Sequence, residues 1–493
     1  MITTPTDHGR RQSLFSAEFR RSTLALAALP FLVAFEMLAV STVMPRAAEE
    51  LGGVALYPLV FAAPPATSIL STVLAGAWCD RHGPMRVMTA GCVVFCAALL
   101  MVGLAPSMPV LVAGRGLQGL GMGLVTVSLY VLIARLYPPR LQPRMFTVLS
   151  AAWVVPGLVG PALAGWISDT VGWRVVFWVV PLLVVPARLL LTDPTGAASA
   201  PRNDAAAPSG DSGAAARRLP VAAAIIAAVG IGALSMAGEQ VSQQLTASAG
   251  GLSSGLPAGL AGWVVVMGVA LLAVLATVPR LLPRRVLLSP DHVGRLILAR
   301  GVLAASFVLA EVYLPLQLVA RYGLSAGHAG LVLTVSSVTW FVGASVAGRD
   351  AMPEQARIPV GAAAMTIGTT ITALLLLTHQ PPWLAGVSWC LTGLGMGLAF
   401  TSTSILTMRR SHPTRQGLNS STLQVAEALT QSAMLALAGV AFQVLLRGGG
   451  SSSAAPYAAM FAAAILLAAL GALVGAAVRP RRRGRARRAT VPS

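Results

Sequence analysis

A chain of 493 residues with 56% hydrophobic and 10% charged side chains and a mean hydropathy of +0.75 has too little polar surface for a water-soluble fold, so lipid is its solvent. Its net charge of +19, from 35 basic residues that are all arginine against 16 acidic ones, would suit a nucleic-acid binder only if the arginines gathered on a folded soluble face, and they do not. Four cysteines, Cys79, Cys92, Cys96 and Cys390, show neither metal-ligand spacing nor a disulfide framework and read as packing residues, so no metal or cofactor is expected.

Residues 1–21 are polar and basic and read as a cytoplasmic N-terminal segment with no cleavable signal. Fourteen apolar stretches follow, each near the roughly 20 residues that a spanning helix needs. They lie at 22–45, 56–78, 86–105, 109–134, 144–168, 174–192, 219–238, 258–279, 296–320, 327–348, 358–378, 383–407, 418–446 and 457–478. The first six form an N-terminal half, 22–192. Residues 193–218 are small, polar and rich in Pro and Gly, too poor in apolar groups to fold alone, and read as a cytoplasmic linker. An inserted pair of helices occupies 219–279. A basic connector then leads into the C-terminal six-helix half, 280–478, and a basic tail, 479–493, ends the chain.

Thirty of the 35 arginines fall in the N-terminal segment, the tail and alternate loops, whereas Arg46, Arg174, Arg321 and Arg447 are alone on the opposite side and Arg115 lies inside a stretch. By the positive-inside rule this orients the chain with both termini in the cytoplasm. The tail run Arg481-Arg482-Arg483-Gly484-Arg485 is then expected to meet anionic lipid headgroups rather than nucleic acid.

Within the first half, the loop after the second stretch reads Gly76-Ala77-Trp78-Cys79-Asp80-Arg81-His82-Gly83-Pro84-Met85-Arg86. A carboxylate at a helix end can pair with arginine and with the amides of another helix N-terminus. Helix 4 carries Arg115-Gly116-Leu117-Gln118-Gly119-Leu120-Gly121; a buried arginine is costly and functional by default, although a purely structural pairing is the alternative. Helix 5 carries Gly157-Leu158-Val159-Gly160-Pro161-Ala162-Leu163-Ala164-Gly165, a face of small residues with a proline kink suited to close helix contact. The hexapeptide Gly119 to Leu124 recurs as Gly393 to Leu398, 274 residues later, and the same offset brings Asp80 onto Glu354 and Glu36 to within one residue of Glu311. Each six-helix half is therefore a copy of the other, a parallel repeat that can rock about a central cavity.

These segments resemble the signatures of the major facilitator superfamily, and the inserted helix pair resembles its fourteen-helix drug:proton antiporters. The resemblance implies an all-α integral membrane fold of two parallel six-helix repeats plus the inserted pair. It implies a cytoplasmic gate from Gly76, Asp80, Arg81, Gly83 and Arg86, with Pro84 replacing the usual basic residue. It further implies that Arg115 tunes a proton-carrying carboxylate. Gly157, Gly160, Pro161 and Gly165 match the antiporter motif, with Ala164 where a glycine is usual.

Only Glu36, Arg115, Glu311 and Glu427 are ionisable and well inside the stretches. Burial disfavours a charged carboxyl and suits it to carry a proton. Glu36 and Glu311 are expected to border the cavity, while Glu427, flanked by Gln424 and Gln431, is either a proton carrier or part of a polar packing network. Glu239, at the end of its stretch, is expected to be a wet loop residue. The expected function is export of lipophilic, drug-like compounds in exchange for protons across the inner membrane by a monomer. A dedicated exporter of one metabolite, antibiotic or lipid is the alternative, with a non-transporting sensor third. No nucleophile motif, phosphate loop or metal motif is present, and no loop can house a catalytic domain, so an enzyme is not expected.

Overall fold

The structure is a computed structural model that describes residues 13–138, 140–193, 221–249, 260–282, 293–349, 352–411, 416–449 and 453–478. The basic tail, nearly all of the linker and most of the connector lie outside the described residues. The elements are α1 (Arg20–Glu50), a short 3-10 turn (Val54–Leu56), α2 (Tyr57–His82), α3 (Pro84–Gly103), α4 (Met108–Leu136), α5 (Gln142–Thr170) and α6 (Trp173–Leu190). The inserted pair is α7 (Val221–Ala249) and α8 (Leu260–Leu281). The last six are α9 (Val293–Tyr322), α10 (Ala326–Gly348), α11 (Glu354–Leu377), α12 (Pro382–Arg410), α13 (Gln416–Gly449) and α14 (Ala455–Ala476). Among the described residues there are no strands. Thirteen of these helices are long and apolar enough to cross a membrane, and α5, with 29 residues, has the length to do so. All-helical structure is what lipid demands, since each backbone amide must find its partner within its own segment.

The helix ends follow local chemistry. Proline stands in the first turn of α2, α3, α4, α12 and α14, where its missing N–H costs nothing. Gly83 turns the chain between α2 and α3 at φ 81°, and Gly172 does so between α5 and α6 at φ 115°, conformations that side chains with a Cβ rarely adopt. The helices outrun the apolar stretches by several residues: α1 continues from 45 to Glu50 and α7 from 238 to Ala249. Polar residues at the ends keep backbone bonding intact where the chain meets headgroups.

The repeated glycines are packing positions in both halves. A side chain on Gly121 would strike the backbone of Phe95 on α3 at 2.7 Å, and Gly119 sits directly on Pro64 and Thr67 of α2. In the second half Gly393 lies on Ser336 and Gly395 on Gly361. Within each half, then, the fourth helix is clamped by its two neighbours through the same backbone contacts.

The halves meet toward the ends that carry few arginines. There Pro161 and Gly165 of α5 press on Gly330 and Gly327 of α10, Pro58 of α2 on Gly439 of α13, and the Tyr57 hydroxyl donates to the Val312 carbonyl at 3.0 Å. The inserted helix α7 packs on α2 of one half and α13 of the other, and α8 packs chiefly on α7.

Candidate functional site

Three helices of the N-terminal half bring together a fully buried charge network. Glu36 of α1 is 0% exposed and Arg115 of α4 is 4% exposed. Arg115 Nη1 donates to Glu36 Oε1 at 2.6 Å and also to Gln118 Oε1, the Gln118 amide donates to Glu36 Oε2, and Arg115 Nε donates to the Val60 carbonyl of α2 at 3.2 Å. Arg115 and Gln118, three apart on α4, share a face, so one helix supplies both partners of the carboxylate. Both oxygens of Glu36 are engaged. The sequence expectation of a matched pair of cavity carboxyls thus meets an asymmetric arrangement, with Glu36 sealed in this network.

Glu311 is different. It lies near the middle of α9, is half-buried, and among the described residues has neither an ion-pair nor a hydrogen-bond partner.

Glu427 of α13 is bound to Arg300 of α9, whose Nε and Nη2 both donate to Glu427 Oε2 at 2.9 Å. Arg300 Nη1 donates to the Phe400 carbonyl at 3.0 Å and to Ser404 Oγ at 2.7 Å, and the guanidinium lies 3.1 Å from the Phe400 ring centroid. Such a planar fork serves carboxylate, carbonyl and ring together, which a lysine could not. The sequence reading counts Arg300 among the thirty arginines of the loops and tails, and the structure corrects this: α9 begins at Val293, so Arg300 is two turns inside and buried. Tyr130 of α4 stands near enough to Arg300 and Glu427 to sense both charges.

From Arg300, α9 presents Ala304, Phe307 and Glu311 along one side at helical spacing. Phe307 stacks on Trp389 at 5.6 Å between centroids and meets Trp340 edge-on at 5.1 Å, and Trp340 meets Phe400 at 5.4 Å. Trp389 occupies the position that the 274-residue offset assigns to Arg115. The same place is thus ionic in one half and aromatic in the other.

The antiporter-like face of α5 is a seam. Gly157 lies against Ser337 of α10, Gly160 against Phe35 of α1, and Gly165 against Gly327. At its end Asp169 accepts from the Gly327 N–H at 3.0 Å, at the start of α10, and stands 3.8 Å from Arg46. A carboxylate there meets unsatisfied amides and the positive end of the helix dipole. Nothing in the sequence reading singled out Asp169; the one available signal is its position just after the motif, at the last turn of α5.

Asp80, Arg81 and Arg86 are exposed around the Gly83 turn, Gly76 is half-buried, and among the described residues Asp80 makes no ion pair. Its counterpart Glu354 pairs with Arg409 and Arg410 at 3.4 Å each. Glu239 is not a wet loop residue: α7 carries it between α2 and α13, where it is 8% exposed and lines a small cavity with Ser235, Pro58 and Gln443.

The sequence profile of the Major Facilitator Superfamily matches residues 26–435. The chain belongs to this superfamily. It is 30% identical over 149 residues to the multidrug transporter protein MdtP of Bacillus subtilis, covering 30% of this chain and 28% of that protein. It is 31% identical over 197 residues to a probable multidrug-efflux transporter of Mycobacterium tuberculosis, covering 40% and 42%. The matched segments therefore span less than half of those relatives. A crystal structure of the peptide transporter POT in complex with sulfate shares the fold with a TM-score of 0.62 at 15% identity, covering 92% of this chain and 94% of that one. A major facilitator protein is a multi-pass membrane transporter of small molecules, not an enzyme.

Proposed function

We propose that this transporter exports lipophilic, drug-like compounds across the inner membrane in exchange for protons, by alternating access. The observation that carries it is Glu311, a half-buried carboxyl in the middle of a 30-residue helix with no counter-charge among the described residues. A carboxyl so placed can hold a proton or attract a cation but not both at once, and that exclusivity is the chemistry of exchange. Support for export comes from the α5 face that resembles the antiporter motif and from relatives named as multidrug transporters. Phe307, Trp340, Trp389 and Phe400 offer a polarizable apolar wall, one turn from Glu311 at the nearest. With the Arg-rich ends read as cytoplasmic, the close contacts of α5 with α10 and of α2 with α13 lie toward the outside, which fits the closed outer gate of an inward-facing state.

The test is Glu311→Gln, which keeps size and hydrogen bonding but removes the titratable group. Net uphill export of a toxic-compound panel should vanish, while energy-independent substrate exchange between vesicle lumen and medium should persist. Pumping at the wild-type pH dependence would remove Glu311 from coupling. A panel in which only one compound is exported would identify a dedicated exporter instead.

Asp80 serves the opposite gate in this proposal. Exposed in the inward-facing state, it finds its partners when the cytoplasmic ends close. Asp80→Asn should therefore lower transport by about fivefold or more, the effect of losing about 1 kcal/mol or more of differential contact, with unchanged expression and thermal stability. Wild-type flux in reconstituted vesicles would take the gating role from Asp80.

A further inference from the structure

Resting only on the alternating-access reading, we infer that two neighbouring tyrosines at the Arg-poor end set the balance between the facing states with opposite signs. The Tyr57 hydroxyl latches the outer closure, and the Tyr313 hydroxyl, together with the Gln317 amide, opposes it. Among the described residues three hydrogen bonds cross between the halves, and all three lie at this end. Each joins a side chain of one half to the backbone of the other. The bond of Asp169 to the Gly327 N–H is exposed, and that of Gln443 Nε2 to the Val54 carbonyl, at 3.3 Å, is partly buried. Tyr57 differs: it is fully buried, and so is its bond to the Val312 carbonyl. A hydrogen bond of 3.0 Å is lost within about 0.5 Å of further separation, so any parting of α2 from α9 breaks this one.

The next residue on α9 carries the opposing group. Tyr313 is fully buried, with its ring packed on Phe442 of α13 at 4.8 Å between centroids, and Phe442 meets Tyr457 of α14 edge-on at 5.3 Å. Its hydroxyl has no hydrogen-bond partner among the described residues. Four residues on, Gln317 is fully buried, and there neither its amide nitrogen nor its amide oxygen is bonded. Pro315, between the two, gives α9 a place to bend.

A polar group buried without a partner is costly, because it has lost water and gained nothing in its place. The parting that breaks the Tyr57 bond also admits water beside the outer end of α9, and that cost then falls away. The outer closure is thus held by one buried bond that opening breaks and strained by polar groups that opening relieves. The closure is left shallow enough to reopen in each cycle.

The test deletes one hydroxyl at a time and keeps the ring. Nitroxide labels on Leu104→Cys, after the outer end of α3, and Gln380→Cys, after the outer end of α11, report the separation of the halves by pulsed electron resonance. The full chain is used in lipid nanodiscs, with its four native cysteines replaced by alanine. The ratio of long to short distances should rise about fivefold in Tyr57→Phe, and adding Tyr313→Phe or Gln317→Met should bring it back down about fivefold, the effect of one hydrogen bond or one stranded polar group. Thermal midpoints should fall in Tyr57→Phe and rise in Tyr313→Phe and in Gln317→Met, whereas residues that serve packing alone would melt earlier in all three. An unchanged ratio in Tyr57→Phe removes the latch. A higher ratio or a lower midpoint in Tyr313→Phe or Gln317→Met shows that the closed state satisfies that group. Either result overturns the proposal. If the wild type shows both distances and no change shifts them, the proposal falls while alternating access stands; a single distance in the wild type and every variant overturns both.

Discussion

Arg115→Met is expected to cost about 3–5 kcal/mol of folding stability, because it leaves the Glu36 carboxylate buried without a counter-charge. Glu36 is 0% exposed, and its Oε1 faces Arg115 at 2.6 Å, so no water can take over the lost bonds without opening α1 from α4. Thermal unfolding of detergent-solubilised protein, followed by tryptophan fluorescence, would show a clear fall in midpoint. The triple change Arg115→Met, Glu36→Leu and Gln118→Met replaces the whole network with apolar groups and should recover most of that loss, since a buried pair is weak evidence for net stability. Recovery of stability without transport would assign the network to function. An Arg115→Met protein that melts with the wild type would mean that water reaches Glu36.

Gly165→Val should jam the transporter with its Arg-poor side open. A Cβ at this position lands on Gly327 of α10, while one turn away the Pro161 carbonyl lies 2.5 Å from where a side chain on Gly330 would begin. Backbone cannot yield as a flexible side chain does. Overpacking of this kind costs about 1–3 kcal/mol, and all of it falls on the closed arrangement, which shifts the two-state balance by roughly 5–150-fold. Transport should fall accordingly, and a cysteine placed at Ser337, beneath the contact, should react faster with a membrane-impermeant reagent added from the Arg-poor side. Unchanged flux and reactivity would show that α5 and α10 need not close so tightly.

Much of this architecture is legible in the sequence because lipid enforces it. Apolar runs must be helices, arginine placement orders them, and the duplicated hexapeptide exposes the repeat. The single charges inside apolar runs are visible for the same reason, and Glu36, Arg115, Glu311 and Glu427 all stand where such charges are costly. What the sequence hides is who pairs with whom. Arg115 finds Glu36 across a separation of 79 residues, and Arg300 finds Glu427 across 127. Arg300 is missed because an arginine seven residues after the start of a helix looks like part of the basic loop before it. Glu239 is missed because its apolar run stops at 238, while α7 continues along the groove between α2 and α13. The fates of Glu36 and Glu311 differ because Trp389, not a second arginine, faces α9 in the other half.

The placement of α7 makes the two seams between the halves unequal. Along one, α2 and α13 are joined by a third helix that touches both, with Gly238 of α7 receiving the branched Val440 side chain. Along the other, α5 and α10 meet directly and, among the described residues, neither inserted helix packs on them. A body bound along one edge opens like a book, with a spine on the side of α7 and free leaves on the side of α5 and α10. Molecules dissolved in the bilayer would then find their doorway at the fore-edge, and the shape of that slot, rather than of the spine, would decide which of them enter.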